Sequence, residues 1–141
     1  MEWFERVRTL LDAPSPATLT TYRADGTAFV SPVWFRFEEG AFEVVIAEGD
    51  AKLRNLERDP RCSLLVFETV PPFRGVEVVG TPELIPGDLG AARAEISGRY
   101  LGRAEGERFA RERTKPGVLL RLAAERPRVW DLASILPAEP V

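Results

Sequence analysis

Short β-rich runs separated by turn residues dominate the first half of this 141-residue chain, and they limit the folds it can adopt. The runs ATLTTY at 17–22 and TAFVSPVWFRF at 27–37 flank an Asp-Gly pair at 25–26. Asp-Gly between two such runs is a strong signal for a β-hairpin. A third run, AFEVVIA at 41–47, follows the turn residues EEG. The pattern therefore predicts three consecutive antiparallel strands.

Later runs extend the sheet. Pro32, inside the second run, cannot donate to a strand ladder, so it marks a sheet edge, a bulge or a place where another group approaches. In the third run Phe42, Val44 and Ile46 share one face, because side chains alternate across a strand. In the longest of the later runs a glycine and a proline are expected to cause a kink or bulge. The later strands are predicted at CSLLVFE (62–68), RGVEVVGTPELI (74–85), GVLLRL (117–122) and RVWDL (128–132).

Helices are predicted around these strands. Apolar residues at helical spacing indicate a helix at 2–11, which the prolines of DAPSP end. Asp50 is the expected N-cap of a short helix at 51–59, and Asp88 that of a helix marked by Leu89, Ala92, Ile96 and Tyr100. A charged helix follows at 105–113.

The order of these elements predicts the fold class. Six or seven strands joined mainly by short turns favour a mainly β (α+β) fold, a closed or nearly closed antiparallel barrel with peripheral helices. Strands do not alternate with long helices, so a parallel α/β fold is not expected. We expect one domain over 1–141, with an N-terminal helix within 1–14 and a loose tail at 133–141. Walker and GxGxxG phosphate loops do not occur in the sequence.

The residue types that are missing restrict the chemistry. The chain has no histidine, which excludes Ser-His-Asp and Cys-His constellations and most zinc and iron sites. Its single cysteine, Cys62, opens an apolar strand, and we expect it to be a buried, inert thiol. A net charge of −3 gives no support to nucleic-acid or membrane binding, and the acidic N-terminus makes a cytoplasmic location the expectation. If the chain is an enzyme, a bound cofactor is expected to carry the chemistry.

The stretch EGDAKLRNLERDPRC at 48–62 gathers basic residues in a short helix and the turn after it. Lys52 stands in the first turn, where a cation disfavours the helix dipole but can grip an anion at the free N–H groups. Asp50 puts a carboxylate beside any such anion. A basic face on a short helix is more often a solvated surface, so both interpretations stay open.

One family has this arrangement of strands. SPVWFRFEEGAFEVVIAEGDAKLRNLERDPRCSLLVFE, followed by RGVEVVGTPELI, resembles the pyridoxamine 5'-phosphate oxidase-like split β-barrel proteins. It is most similar to the small group that binds the deazaflavin coenzyme F420 or, in some members, FMN. The likeness continues through RYLGRAEGERFARER and GVLLRLAAERPRVWDL, so it covers nearly all of 15–132. The family fold is the barrel that the turns and the alternation predict.

The resemblance implies a homodimer with two cofactor sites at its interface. By that match, the strand edge at Pro32, Val33 and Trp34 would line the flavin ring. Ile46 and Ala47 would lie along the cofactor. The match further implies that Lys52 reaches the cofactor phosphate, with Arg54 and Asn55 in support. Each of these residues also has a structural interpretation: Val33 and Ile46 as core, Trp34 as filling for the barrel or dimer contact, and Asn55 as a backbone partner.

Two positions depart from the family pattern. Relatives often carry a hydroxyl or a further basic residue near the positions that Val45 and Asp50 hold here. Lys52 would then contribute more of the phosphate binding, and the partner subunit's arginines could add to it. Arg126 and Arg128 are the candidates for that role.

The resemblance leads to three hypotheses about function. The first is an oxidoreductase in which reduced F420 delivers hydride to a small conjugated organic substrate, with Tyr100, Trp130 or solvent supplying a proton. The second keeps the fold and uses FMN in flavin reductase or oxidase chemistry. The third is a non-catalytic cofactor-binding protein, for which haem is disfavoured because no histidine is available as an axial ligand.

Overall fold

The computed structural model describes residues 2–137, which form four helices and nine strands. The helices are α1 (Glu2–Asp12), α2 (Ala51–Arg58), α3 (Gly90–Leu101) and α4 (Arg103–Glu112). The strands are β1 (Ala17–Tyr22), β2 (Ala28–Val33), β3 (Arg36–Glu38), β4 (Ala41–Ala47), β5 (Cys62–Phe67), β6 (Gly75–Gly80), β7 (Glu83–Pro86), β8 (Gly117–Ala123) and β9 (Arg128–Trp130). Among these residues no helix is long and apolar enough to span a membrane.

The strands form two antiparallel sheets that close over one core. The five-stranded sheet has the order β2-β1-β5-β6-β9, and the four-stranded sheet has the order β3-β4-β8-β7. Their inner faces supply most of the core, and α1 adds Val7, Leu10 and Leu11 to it. Phe42, Val44 and Ile46 of β4 all point inward, as the alternation predicts. This architecture confirms the predicted α+β, mainly antiparallel barrel.

Two of the predicted strands each divide between the sheets, which is why nine strands form where six or seven were expected. The run at 27–37 leaves the five-stranded sheet after Val33 and re-enters the other sheet at Arg36. Phe35, at this corner, is fully buried, and its ring lies 5.8 Å from that of Phe42. The run at 74–85 divides after Gly80, where the glycine-proline segment was expected to kink it. Corners of this kind let two twisted sheets close into a barrel.

Of the three alternatives that the sequence left for Pro32, the structure shows the sheet edge. β2 is the outermost strand of its sheet, with β1 on one side and no strand of the described chain on the other. Pro32 pairs with Thr18 in the β1–β2 register, and the side chain of Pro32 is exposed. The missing N–H of a proline costs no ladder bond on an open edge.

The partly buried Arg99 side chain holds the corner after β2 in place. The Arg99 guanidinium, on α3, donates to the carbonyls of Phe35 at 2.7 Å, Leu11 at 2.8 Å and Ala13 at 2.6 Å. Burial lowers the pKa of Arg99, although the neighbouring Tyr100, Asp12 and Glu95 oppose the shift. One side chain thus joins α3, the end of α1 and the corner where the chain changes sheets.

The helix predictions are confirmed with small changes of boundary. Asp50 caps α2 as predicted, because its side chain accepts a hydrogen bond from the Lys52 N–H. At α3 the cap position is Leu89, not Asp88. Asp88 Oδ1 instead accepts from the Gly90 N–H at 2.9 Å, so the carboxylate still satisfies a donor of the first turn. A hydrogen-bonded turn follows β9, and the last part of the predicted tail, 138–141, lies outside the described residues.

Candidate functional site

A cavity of about 700 Å³ lies beside the barrel, between the sheets and the helical pair α3–α4. The end of β2 and the outward face of β4 form one side, and α3, α4 and the loop at 113–116 form the other. Val45 and Ala47 face the cavity because they alternate with the inward residues of β4. A cavity of this size is typical of a small-molecule site.

Aromatic side chains form one part of the cavity wall. The Trp34 ring stacks on the Tyr100 ring, with centroids 5.2 Å apart and planes within 11°. Phe109, on α4, lies 5.3 Å from the Trp34 ring. A second cavity of about 570 Å³ shares Pro32, Val33, Trp34 and Phe109 with the first. Trp34 therefore lines both cavities with a flat, mainly apolar side chain.

Positively charged side chains form another part of the wall. Lys52, Arg93, Arg113 and Lys115 line the cavity, and its acidic residues are Asp50 and Glu112. Lys52 and Lys115 are the only two lysines in the sequence. The four cations outnumber the two carboxylates, so the lining carries a net positive charge that favours an anionic ligand.

Lys52 is held by the residue that caps its own helix. Its Nζ lies 3.0 Å from Asp50 Oδ2, while its backbone N–H donates to Asp50 Oδ1 at 2.9 Å. Partial burial raises the pKa of Asp50, but these hydrogen bonds and the charge of Lys52 outweigh it, and the pKa is lowered. Asp50 thus remains ionised near neutral pH and offsets part of the charge of Lys52.

The loop at 113–116 is hydrogen-bonded to α3 on one side of the cavity and to the residue after β4 on the other. Arg93, which is 9 % exposed, donates to the carbonyls of Arg113, at 2.9 Å, and of Lys115. The Glu48 N–H donates to the Pro116 carbonyl at 2.7 Å. Gly117 pairs with Ala47 so closely that a Cβ on Gly117 would lie 2.1 Å from the Ile46 carbonyl oxygen. Only glycine fits at this point, and the loop is therefore held next to the start of α2.

The structure brings five of the eight predicted site residues to this cavity. Pro32, Val33, Trp34, Ala47 and Lys52 line it, although they come from three separate elements. Val45 and Asp50, the two departures from the family pattern, line it too.

The side chains of Ile46, Arg54 and Asn55 are placed elsewhere. Ile46 points into the core, because the alternation of β4 turns it away from Val45 and Ala47. Arg54 is exposed and donates to the Gly49 carbonyl at 2.6 Å. Asn55 is buried against β1, where it donates to Thr21 Oγ1 at 3.1 Å and accepts from Arg58. In the structure, Arg54 and Asn55 thus contact the turn before α2 and strand β1, outside the cavity lining.

Sequence reasoning missed Arg93, Phe109, Arg113 and Lys115. They reach the cavity through the packing of α3 on α4 and through the pairing of β4 with β8, which joins segments about seventy residues apart. The scarcity of lysine was the one signal in the sequence that pointed to Lys115.

The proton-donor candidates also have defined positions. The Tyr100 hydroxyl donates to the Ser15 carbonyl at 3.2 Å and accepts from the Phe35 N–H at 3.3 Å. Burial raises the pKa of Tyr100, which keeps this group protonated. Trp130 packs against Gly75 at the far edge of the five-stranded sheet, outside the cavity lining.

Cys62 is buried, and desolvation raises the pKa of its thiol to about 12. A thiol with this pKa is almost entirely protonated at neutral pH and is a poor nucleophile. The prediction that Cys62 is inert is therefore confirmed.

The two antiparallel sheets closed over one core, with helices at their periphery, define the split β-barrel class. The family model described as pyridoxamine 5'-phosphate oxidase matches residues 4–131 of this chain. The chain therefore belongs to the pyridoxamine 5'-phosphate oxidase family, as the resemblance of its strand sequences indicated. No curated protein matches the chain.

Solved structures support the same fold. The conserved hypothetical protein Rv2991 from Mycobacterium tuberculosis is 26% identical, with a TM-score of 0.80, and the match covers 97% of this chain and 90% of that one. An F420 reductase is 24% identical, with a TM-score of 0.69 and coverage of 86% and 94%. HutZ, the heme storage protein from Vibrio cholerae, is 16% identical, with a TM-score of 0.69 and coverage of 92% and 95%. The last two likenesses concern the fold alone.

Proposed function

We propose that this protein is an oxidoreductase that uses the deazaflavin F420 for hydride transfer to a small conjugated organic substrate. The observation that carries the proposal is the cavity itself, in which aromatic rings and an excess of cations line the same space. Such a lining suits a ligand with a flat ring and an anionic group. The structural likeness to an F420 reductase supports the choice of F420, and family membership supports a flavin-type cofactor in general.

The cavity residues fit a cofactor of this kind. When bound, F420 or FMN supplies the hydride chemistry, so the protein needs no nucleophile or metal of its own. The edge of β2 at Pro32 and Val33 offers backbone groups that no strand within residues 2–137 occupies. Trp34 and Phe109 provide apolar surface against which a ring can pack and from which water is excluded. Lys52 is placed to neutralise a phosphate group.

Proton supply is a task for solvent or for a group on the substrate in this proposal. The Tyr100 hydroxyl already donates to a backbone carbonyl, and Trp130 lies away from the cavity. We accordingly assign no described side chain of this chain as the proton donor. The protein's role is to hold, orient and desolvate the reactants.

A homodimer with the cofactor sites at its interface is part of the proposal. The outward face of the five-stranded sheet carries Val30 and Val79, which are 60% and 67% exposed. Pro32 belongs to the same face and also lines the cavity, so a second subunit on this face would border the site. Arg128 lies on this face as well, paired with Glu77 at 3.2 Å, whereas Arg126 is exposed in the preceding loop. The cytoplasmic location expected from the sequence also remains part of the proposal.

The test is a side-by-side titration of the apo-protein with F420 and FMN. We expect F420 to bind at least about tenfold more tightly than FMN. In Lys52→Ala the affinity for the preferred cofactor should fall about tenfold, because a charge-assisted contact to phosphate is lost. Arg54→Gln is the matched control, since Arg54 is exposed on the same helix but lies outside the cavity lining.

Two outcomes would contradict this proposal. Unchanged affinity in Lys52→Ala would return α2 to the solvated-surface interpretation. Preferential uptake of FMN, with a flavin absorption spectrum in the purified protein, would favour FMN-dependent reductase or oxidase chemistry instead.

A non-catalytic cofactor-binding protein is the second candidate, because HutZ, a heme storage protein, has the same fold. The present chain has no histidine to ligate haem iron. Turnover with reduced F420 and a panel of quinones, nitro compounds and tetrapyrroles separates the two candidates. An enzyme oxidises the reduced cofactor in the presence of one of these substrates, and a storage protein binds it without turnover.

A further inference from the structure

Lys115 and Lys52 both line the cavity, but their ion pairing differs. Lys52 is paired with Asp50, whereas Lys115 forms no ion pair with any residue of the described range 2–137. Within residues 2–137, the Lys115 ammonium is therefore the lysine charge in the lining with no carboxylate oxygen within 4.0 Å. An anion entering the cavity gains more from a cation that no carboxylate neutralises.

The position of Lys115 is defined, although its side chain is exposed. Its backbone carbonyl is held by Arg93, and the next residue, Pro116, accepts from the Glu48 N–H. Its Nζ lies over the turn before α2, 3.4 Å from where a Cβ on Gly49 would stand. Gly49 has a φ of +85°, and the absence of a side chain there leaves room for the ammonium. The loop thus delivers Lys115 to the turn that leads into α2.

Resting on the proposed function, we propose that Lys115 is the second phosphate-binding cation of the cavity and that it makes the site selective for phosphorylated ring compounds. Lys52 and Lys115 approach the same turn from two different segments, one before the barrel's fifth strand and one before its eighth. Two cations close to a phosphate stabilise its negative charge more than one cation that is already paired. A ring compound without phosphate gains nothing from Lys115.

The scarcity of lysine allows a direct experiment. Reductive ¹³C-methylation keeps the positive charge of lysine and labels two side chains in this protein besides the N-terminal amine. The labelled protein is titrated with F420, FMN and riboflavin, which is FMN without its phosphate, and the two lysine resonances are followed by NMR. Lys52→Arg and Lys115→Arg assign the resonances, because each removes one label and keeps the charge.

Unlabelled variants give the corresponding affinities. Lys115→Gln should weaken binding of F420 or FMN about tenfold, and Lys115→Arg by less than about threefold. Riboflavin affinity should change by less than about twofold in both. Arg111→Gln is the charge-matched control, since Arg111 is exposed on α4 and does not line the cavity.

The outcomes separate this inference from the proposed function. The inference is supported if both lysine resonances shift with the phosphorylated ligand and Lys115→Gln loses affinity for that ligand alone. It is overturned, with the proposed function intact, if the cofactor binds while the Lys115 resonance stays unmoved or Lys115→Gln binds like the wild type. If the wild type binds neither F420 nor FMN, both the inference and the proposed function fail.

Discussion

At the scale of single residues, Asp50 has two roles that oppose each other. Its carboxylate caps α2 through the Lys52 N–H, and the same carboxylate pairs with the Lys52 ammonium inside the cavity. The cap stabilises the helix, while the negative charge reduces the attraction of the cavity for an anion. Substitutions at this position can separate the two effects.

Asp50→Asn should keep the cap and remove the charge. Asparagine is as good an N-cap as aspartate, so the free energy of unfolding should change by less than about 0.5 kcal/mol. Affinity for FMN or F420 should increase about threefold or more, because Lys52 loses its carboxylate partner. Denaturant unfolding and cofactor titration measure the two quantities.

Asp50→Ala serves as the comparison. It removes the charge and the cap together, so we expect a loss of about 1 kcal/mol in the free energy of unfolding along with the gain in affinity. Weaker binding in Asp50→Asn than in the wild type would show that Asp50 helps the ligand, for example by accepting a hydrogen bond from it.

Glu68 and Arg74 give the molecule a defined response to acid. Arg74 donates to both carboxylate oxygens of Glu68, from Nε at 2.8 Å and Nη2 at 3.0 Å, and its backbone N–H donates at 2.7 Å. The hydrogen bonds from the Arg74 side chain and N–H, with its charge, lower the pKa of Glu68 below 4.5, although slight burial opposes this. A folded-state pKa below the unfolded value gives stability that is present above pH 4.5 and is lost as the pH falls through the lower, folded-state pKa.

Glu68→Gln should therefore lower the free energy of unfolding by about 1–2 kcal/mol at pH 7. The difference between variant and wild type should shrink as the pH falls below 4.5, because protonation removes the same charge from the wild type. Unfolding in urea at a series of pH values measures this. If the difference in unfolding free energy stays constant with pH, the charge of the Glu68 carboxylate does not stabilise the fold.

At the scale of elements, the close packing of α3 on α4 brings two glycines together, and only Gly106 has no room for a side chain. A Cβ on Gly106 would lie 2.4 Å from the Gly98 backbone nitrogen and 2.5 Å from its Cα. A Cβ on Gly98 would have ordinary contact, with its nearest neighbour at 3.8 Å. Both glycines lie within helices, so alanine is favoured by helix propensity at both sites and only the packing differs.

Gly106→Ala should force α4 away from α3 and cost about 1–3 kcal/mol in the free energy of unfolding. Gly98→Ala should be neutral or stabilising by up to about 1 kcal/mol. Displacement of α4 should also move Phe109 away from Trp34, so Gly106→Ala should change the tryptophan emission. Thermal unfolding and fluorescence of the two variants check this, and equal stability of the two would contradict the packing argument.

The elements themselves were largely predictable, for local reasons. The Asp-Gly hairpin and the alternation in β4 depend on neighbouring residues, and both form as the sequence predicts. The corner at Phe35 was not predicted. A β-rich run looks continuous in sequence, and the switch of sheet depends on where the buried Phe35 ring fits against Phe42 on another strand. The N-cap at α3 shifted by one residue for a similar reason, since Asp88 and Leu89 compete at the same helix start.

At the scale of the whole molecule, the cavity depends on contacts that the sequence order hides. Lys52 could be identified from the sequence because it lies next to Asp50, the cap of its own helix. Lys115 reaches the cavity only because β8 pairs with β4. The family resemblance supplied the strand edge at Pro32–Trp34 and the start of α2. The resemblance did not predict the other side of the cavity, because α3, α4 and the loop at 113–116 reach the cavity through tertiary packing.

The outward face of the five-stranded sheet is the surface that the second copy covers in the proposed homodimer. The register aligns Val30, Thr20, Ser63 and Val79 in one row across four strands. The next row runs from Pro32 through Thr18 and Leu65 to the ion pair of Glu77 with Arg128. A two-fold interface brings the same surface of both subunits together. A surface of mostly apolar and small neutral residues can pack against its own copy without placing like charges opposite each other.

A charge placed in this face should therefore dissociate the proposed dimer. We expect the wild type to sediment as a dimer of 15.7 kDa subunits and Val79→Lys to sediment as a monomer at the same concentration, because two buried ammonium groups would face each other without a partner. Ile85→Lys is the control, because Ile85 is 38% exposed but lies on β7 of the other sheet. Circular dichroism establishes that both variants fold.

Since Pro32 joins this face to the cavity, dissociation should also weaken cofactor binding in Val79→Lys although Val79 does not line the cavity. A monomeric wild type would contradict the proposed dimer, and a Val79→Lys variant that remains a dimer would show that this face is not its interface.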